Sequence, residues 1–577
     1  MAFQVSPGVR VREIDLTNVV PAVSTSIGGF VGAFKWGPVE EIVTISSEGD
    51  LVNRFREPDN QTFRYFIPAA QFLQYSNNLQ VVRAEQPGAL NATSSVDSDG
   101  TPVGRLVKNR DDFELQEALG NIDDEVIAKY PSKLGNSLQV WIVTNEASFE
   151  ELPEAVQNIL PGAPFTTPYA DERNAGNDEM HVVVVDADGS FSGSAGTVLE
   201  VFDGLSQASG ARREDGTNNF FADRINTSSR YIWIGNSGSV DGLDFSGVAI
   251  ADMEPDTDGF KQYVTSDSAI VSNLGGGSNG SDATLGAIQL GYDKFSDATL
   301  VDVNFLIATH VDSGDVQSLS NYLINLADSR KDCVAFVSPP VSATVNTINA
   351  VDNVLDWASG ITSSSYGVLD STAVYVYDKY NDVFRWVIAS GTVAGLCANT
   401  DLVADPWFSP AGFNRGQVRG VTRLAMNPTK TQRDNLYRNR VNPIVSFPGE
   451  GIVLFGDKTA QSRPSAFDRI NVRRLFITLQ KAISTAAQFQ LFELNDEFTR
   501  SQFVSLIEPF LRDVQGRRGI TDFRVVCDET NNTGEVIDNN RFVADIYIRP
   551  SRSINFITLN FVAVRTGVEF SEVVGRF

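Results

Sequence analysis

The 577-residue chain has only two His, three Cys and four Met, and its 46 Lys plus Arg are outnumbered by 72 Asp plus Glu. Each shortage excludes something. With so few imidazoles, acid/base catalysis near neutral pH and histidine-based metal sites are thinly supplied. Cys333, Cys397 and Cys527 lie far apart and form no CxxC pair, so they read as reduced core thiols rather than a disulfide framework or a zinc site. A net charge of −26 opposes nucleic-acid binding, because phosphates are neutralised by a clustered excess of Lys and Arg. No stretch nears the roughly 18 consecutive apolar residues of a membrane span. The opening MAFQVSPGVRVREID lacks the basic start and apolar run of a secretory signal, so the chain is expected to stay in the cytoplasm where it is made.

What is present is a 42% hydrophobic composition, ample for a sizeable core, and a length that suggests about four domains at roughly 150 residues each. The charge is unevenly shared. From Ala411 onward 23 basic residues meet 17 acidic ones, a net of +6, which leaves −32 for residues 1–410. Twenty of those 23 are Arg, the others being Lys430, Lys458 and Lys481. Arg forms forked pairs with carboxylates and is enriched in interface cores, so this part is expected to meet protein and the acidic part to meet water.

Periodicity predicts a multidomain α+β or mixed α/β chain, whose core comes from both ends, with a β-rich inserted outer domain and exchanged terminal strands. The expected divisions are an N-terminal arm at 1–22, a first core part at 23–85, a loop and connector at 86–128, an outer mixed domain at 129–284, a second core part at 285–424 and a C-terminal domain at 425–577. Strands are predicted at Ile42–Ile45, Leu79–Arg83, Leu138–Val143, His181–Asp186, Tyr231–Ile234, Val301–Ala308 and Cys333–Val337. The last is a continuous apolar run of the kind found in a parallel sheet covered on both faces. Helices are expected near Ile67–Tyr75, Val316–Ser329, Phe467–Leu491 and Thr499–Val514. Three strands should follow, at Phe523–Cys527, Phe542–Arg549 and Ile554–Arg565. The Gly, Ser and Asp-rich stretches Glu85–Gly104 and Gly275–Asp282 read as loops.

Both ends carry short extended pieces set off by Gly or Pro. Val9, Val11, Ile14 and Leu16 mark the first; Val568, Phe570 and Val573 mark the second, within a terminal segment at 567–577. A detached strand cannot bury itself and must pair with a sheet edge, in its own subunit or in another.

Motifs for chemistry are weak. Gly276-Gly-Ser278-Asn-Gly280 matches the spacing of a serine-hydrolase elbow, yet no apolar strand leads into it. Gly451–Thr459 approaches a phosphate loop, but Asp457 stands before Lys458, where a carboxylate would repel phosphate. Asp186-Ala-Asp188-Gly189 opens like a calcium loop, but Thr197 occupies the position that needs a bidentate Glu. A hydrolase or nucleotidase using Ser278 or Lys458, or a surface-layer or adhesin polymer, remains as an alternative. No catalytic residue, cofactor or metal is assigned.

Several blocks together resemble the contractile tail sheath proteins of long-tailed bacteriophages, the myoviruses. They are SPGVRVREIDL at Ser6–Leu16, GAFKWGP at Gly32–Pro38, YPSKLGNSL at Tyr130–Leu138, VYDKYNDVFRWV at Val376–Val387, AGLCANTD at Ala394–Asp401, SPAGFNRG at Ser409–Gly416, FDRINVRRLF at Phe467–Phe476 and RSINFITLNFVA at Arg552–Ala563. One departure is that larger members carry a further outward domain where this chain has only the Glu85–Gly104 loop. The resemblance implies a non-enzymatic virion subunit that stacks as six-membered rings around the tail tube protein. It also implies a baseplate that triggers contraction, a tail terminator, and no nucleic acid or direct membrane insertion. Residues 9–16 and 568–574 are then expected to donate strands to neighbours. Phe523, Val525, Phe542, Ile546, Ile554, Ile557 and Phe561 would form the receiving sheet, and Arg469, Arg473 and Arg474 are candidates for contact with the tube or an adjoining subunit.

Overall fold

The computed structural model describes residues 24–555, apart from 123, 236–238 and 241–242. They fall into two compact units, one of residues 24–406 with 410–473, the other of residues 407–409 with the chain from 474 onward.

The first unit is organised by a seven-stranded sheet in the order Ile42–Ile45, Leu79–Arg83, Gly28–Gly32, Phe305–Ile307, Val334–Val337, Gly367–Asp370 and Val441–Asn442. Neighbours run parallel except at the Ile42–Ile45 edge, which is antiparallel to Leu79–Arg83. Parallel sheets need cover on both faces, and the strands at 28–32, 334–337 and 367–370 are buried throughout. Alternation along one strand identifies the covers. A Cβ on Gly28 or Gly32 would strike Phe72 or Tyr65 of the helix Phe63–Leu73, while Val31 packs on Gly291 of the helix Leu285–Asp293 from the opposite side. Helix Val316–Arg330 covers Val334–Val337. Helix Ser390–Val403 packs on Phe63–Leu73 so closely that a Cβ on Gly391 would lie 2.0 Å from the Pro68 carbonyl oxygen. That helix is buried on nearly every side, which is why its sequence carries no polar stripe.

Three strands from residues 28–83 thus share a sheet with four from beyond residue 300. The chain between them builds a four-stranded antiparallel sheet in the order Ile270–Asn273, Leu138–Val143, Glu179–Asp186 and Thr197–Ser206. Its period-two pattern sends Leu138, Val140, Ile142, Val182 and Val184 into one core with Trp36, Phe221 and Ile232. Val143, Val183 and Val185 gather Leu152 and Val156 on the other face.

Some elements depart from the sequence expectation, each for a visible reason. The two polar stretches at 85–104 and 275–282 are not simply exposed loops: Ala89–Leu90 pairs antiparallel with Ser278–Asn279. Beside this pairing Asn91 is fully buried; its amide donates to the Val107 and Ala128 carbonyls at 3.0 and 2.9 Å and its oxygen accepts from Val107 N at 2.8 Å. A polar side chain here satisfies buried backbone, a role that composition cannot distinguish from solvation. The 86–128 connector also contains the helix Arg110–Ala118, capped by Asn109, which accepts from Asp112 N at 3.0 Å. The strand expected from Val301 is confined to Phe305–Ile307, because Asn304 turns its side-chain oxygen to Ile27 N at 3.0 Å. The helix expected at Ile67 begins at Phe63 and accommodates Pro68 in its interior.

In the second unit the helix Glu497–Gly516 is capped by Asp496, which accepts from Thr499 N at 2.8 Å. Phe503, Ile507, Leu511 and Val514 form its buried stripe, and it packs on the strand Ile520–Val526, which pairs antiparallel with Asp545–Pro550. Trp407 joins this unit by donating its indole N–H to the Arg517 carbonyl at 3.1 Å. The second strand starts three residues later than expected, since Asn532 takes up both backbone groups of Val543, at 2.8 and 2.9 Å.

Candidate inter-subunit interface

The strands Ile520–Val526 and Asp545–Pro550 form a two-stranded sheet, and neither has a second neighbour among the described residues. Cross-strand register places Phe523 opposite Ile548 and Val525 opposite Ile546. All four are only half-buried, although they are the apolar side of the hairpin. Asp522, Arg524, Tyr547 and Arg549 alternate with them and are exposed. An isolated two-stranded sheet is marginal in water. Here each outer edge offers backbone donors and acceptors to a further strand, which would also extend the apolar face.

Of the residues expected to form a receiving sheet, Phe523, Val525 and Ile546 are brought together in this way. Phe542 is not in the strand; its ring packs edge-on against Phe503 at 5.3 Å. Ile554 lies beyond the strand and is 82% exposed. Ile557 and Phe561, like the donor positions Val9, Val11, Ile14, Leu16, Val568, Phe570 and Val573, lie outside the described residues.

Of the three arginines singled out for external contact, Arg473 and Arg474 are buried and Arg469 is half-buried. Arg469 donates to Asp457 Oδ1 at 3.0 Å and to the Tyr437 hydroxyl, and Asp457 is 4% exposed. The Arg473 guanidinium lies 3.9 Å from the Phe467 ring centroid and 4.3 Å from that of Tyr366, whose hydroxyl it contacts at 3.1 Å. Arg474 is buried. Their density in FDRINVRR signalled engagement of the guanidinium fork, and sequence alone could not tell a partner in the same chain from one in another.

The positions considered for chemistry are engaged otherwise. Ser278 Oγ accepts from Gly280 N at 3.2 Å within its short strand. Lys458 donates to the Tyr437 carbonyl at 2.8 Å, and burial with Arg469 nearby lowers its pKa. Gly451–Leu454 is one strand of a hairpin with Ile444–Phe447. Asp186 accepts from Phe191 N and Ser192 N at 3.0 and 2.7 Å, as an Asx turn does. His181 is tied to the Gly162 carbonyl and to Gly204 N, both at 3.1 Å. A small cleft at the carboxyl ends of the parallel strands, the place where such sheets hold ligands, is lined by Thr309, His310, Ser320 and Ser338. His310 is its one ionisable lining residue, and burial together with Arg64 pushes that imidazole down to about 4. It is a poor base at neutral pH.

Comparison with known proteins identifies the family. Residues 283–460 match the phage tail sheath protein central domain, and residues 462–563 match the phage tail sheath C-terminal domain. The tail sheath protein of Vibrio phage KVP40 is 37% identical over 670 aligned residues, covering 99% of both chains. That of Enterobacteria phage T4 is 33% identical over 662, again covering 99% of both. The crystal structure of a sheath tail protein from Listeria innocua shares the fold, with a TM-score of 0.51 at 12% identity over 92% of this chain and 96% of that one. With relatives of this identity along essentially its whole length, the chain belongs to the phage tail sheath proteins, and it is a structural subunit of a contractile phage tail sheath rather than an enzyme.

Proposed function

We propose that the chain polymerises as stacked six-membered rings around the tail tube, joined by strands exchanged between subunits, and contracts on a signal from the baseplate to drive the tube through the host envelope. The observation that carries this reading is the hairpin Ile520–Val526/Asp545–Pro550, a sheet with two open edges and a half-covered apolar face. Residues 9–16 and 568–574 are the donors, and a few added backbone hydrogen bonds, at about 0.5–1.5 kcal/mol net each, would join one subunit to the next. Pairing of this kind survives rotation of the rigid bodies that it links, so contraction proceeds without subunits separating, and interfaces that bury more surface in the contracted state supply the driving force.

In this arrangement the core is formed by residues 23–85 and 285–424, the acidic segment 129–284 faces outward, and the Arg-rich part lies inward. Assembly takes place in the host cytoplasm and ends at a tail terminator. The test is deletion of residues 1–16. The truncated chain should remain a folded monomer with an unchanged melting transition and fail to form tubes by negative-stain microscopy. Tubes formed as readily as by the intact chain would eliminate strand exchange through the N-terminal arm.

A further inference from the structure

Away from the hairpin, a three-stranded antiparallel sheet in the first unit is ordered Val383–Val387, Val374–Asp378, Val421–Leu424. One face is ordinary: Val374, Val376, Val387 and Leu424 are buried beneath it. The opposite face of such a sheet usually carries polar side chains. Here it carries Tyr375, Tyr377, Phe384, Trp386 and Arg423, with Tyr377 and Phe384 46% and 48% exposed.

The register explains how these side chains form one surface. Tyr375, on the central strand, stands directly between Trp386 on one side and Arg423 on the other, and the next pair along is Tyr377 with Phe384. The Tyr375 ring lies 4.5 Å from that of Trp386 and 5.3 Å, near parallel, from that of Phe384. The Arg423 guanidinium sits 5.0 Å from the Tyr375 centroid and 5.1 Å from that of Trp386. Stacking holds the fork in place while leaving its donors outward.

The sheet's other cation is already matched, Arg385 with Asp378 at 3.0 Å, and Lys379 in the turn with Glu48 at 3.2 Å. Arg423 has no carboxylate within ion-pair distance among the described residues, and neither the Trp386 indole N–H nor the Tyr375 hydroxyl has a hydrogen-bond partner there. An exposed cluster of Tyr, Trp and Arg is the composition of binding hot spots, not of a solvated face. Its unmet groups are chiefly donors, so the complementary partner presents carboxylates.

We infer that this aromatic face docks an acidic surface of a second copy of the chain, with Arg423 taking a carboxylate in a forked pair and Trp386 and Tyr377 covered by the contact. Charge complementarity favours the second copy: residues 1–410, to which the four rings belong, carry a net charge of −32, and within them the separate segment 129–284 has 23 acidic and 8 basic residues, a net of −15. The same charge disfavours a nucleic acid on this platform. The inference rests on the polymer reading above but concerns a different contact, one made by side chains rather than by exchanged backbone.

Hydroxyl-radical footprinting of the purified full-length chain, as monomer and as tubes, tests it. Oxidation of Tyr377, Phe384 and Trp386 should fall at least fivefold in tubes. Arg423→Glu should keep the monomer's melting transition while raising the concentration needed for assembly at least tenfold, and Arg423→Lys should restore only part of the loss. Tubes in which the three rings stay fully reactive would overturn the aromatic contact and leave polymerisation standing. Protection that appears only when tail tubes or single-stranded DNA are added would overturn the second copy as occupant. A chain that stays monomeric in every buffer would overturn both this inference and the polymer reading.

Discussion

The seven-stranded sheet has strands with almost no charged residues, whereas the C-terminal hairpin alternates apolar with charged ones, and the two end in opposite conditions. In the first, Gly28–Gly32 has a parallel neighbour on each side and helices on both faces, so Phe30 and Val31 are 0% exposed. In the second, Phe523, Val525, Ile546 and Ile548 have a helix to one side and open edges at both ends of the ladder. One sheet pairs its five interior strands on both sides within a single chain and leaves only Ile42–Ile45 and Val441–Asn442 as edges. In the other, both strands are edges among the described residues. Under the strand-exchange proposal, this division lets rigid bodies survive rotation while the links between them form on assembly.

Four measurements can break or sharpen that contrast. The largest effect is expected in the closed sheet: Phe30→Ala should cost about 3–5 kcal/mol of monomer stability in urea unfolding, from lost burial and the cavity left behind. A loss below about 1 kcal/mol would mean that the sheet is less self-contained than its burial indicates. Next, Arg469→Met leaves the buried Asp457 carboxylate with the Tyr437 hydroxyl but without its cation. A cost of about 1–3 kcal/mol in the monomer would establish the arginine as an internal partner. Unchanged monomer stability with impaired assembly would return it to the interface.

The third measurement concerns pH. Burial pushes the Asp370 carboxyl, at the end of the Gly367–Asp370 strand, up to about 7. Its folded-state pKa lies above the unfolded value, so between about pH 4 and pH 7 the folded chain holds more protons than the unfolded one. The contribution to stability is present at the acid end of that window and is lost as pH rises, at up to about 1.4 kcal/mol per pH unit. Asp370→Asn should flatten that slope in urea unfolding between pH 4 and 7. The smallest monomer effect is expected in the open hairpin: Val525→Ala should cost less than about 1.5 kcal/mol, since a half-buried side chain loses only part of its transfer energy. The same variant should weaken tube formation, measured by sedimentation, and an effect confined to the monomer would show that the hairpin is already complete.

Patterns tied to the backbone period were legible in the sequence. The strands Ile42–Ile45, Leu79–Arg83 and Leu138–Val143 occur as expected because period-two or continuous apolar runs fit few alternatives. The long helices were legible too, though the helix expected from Ile67 begins four residues earlier, at Phe63. Polar residues with internal duties were not legible. Asn91, Asn304 and Asn532 all read as loop composition, and each satisfies backbone groups brought close by tertiary contact. The aromatic face was also missed, although its signal stood in VYVYD and VFRWV. Alternation of aromatic with aliphatic residues reveals two apolar faces but not which one the rest of the chain covers.

By itself, then, the sequence determined the two charge regimes, the element types wherever hydrophobic period is strong, and the family through blocks distributed over the chain. Tertiary structure alone decided which donors and acceptors are used up internally. Arg469, Arg473 and Arg423 are indistinguishable as residue types. The first is bound to a buried carboxylate, the second stacked on the Tyr366 and Phe467 rings, and the third held outward on an aromatic face with its fork unfilled. The physical reason is that a guanidinium's role depends on what lies within a few ångströms of it, and those neighbours come from segments far away in the chain.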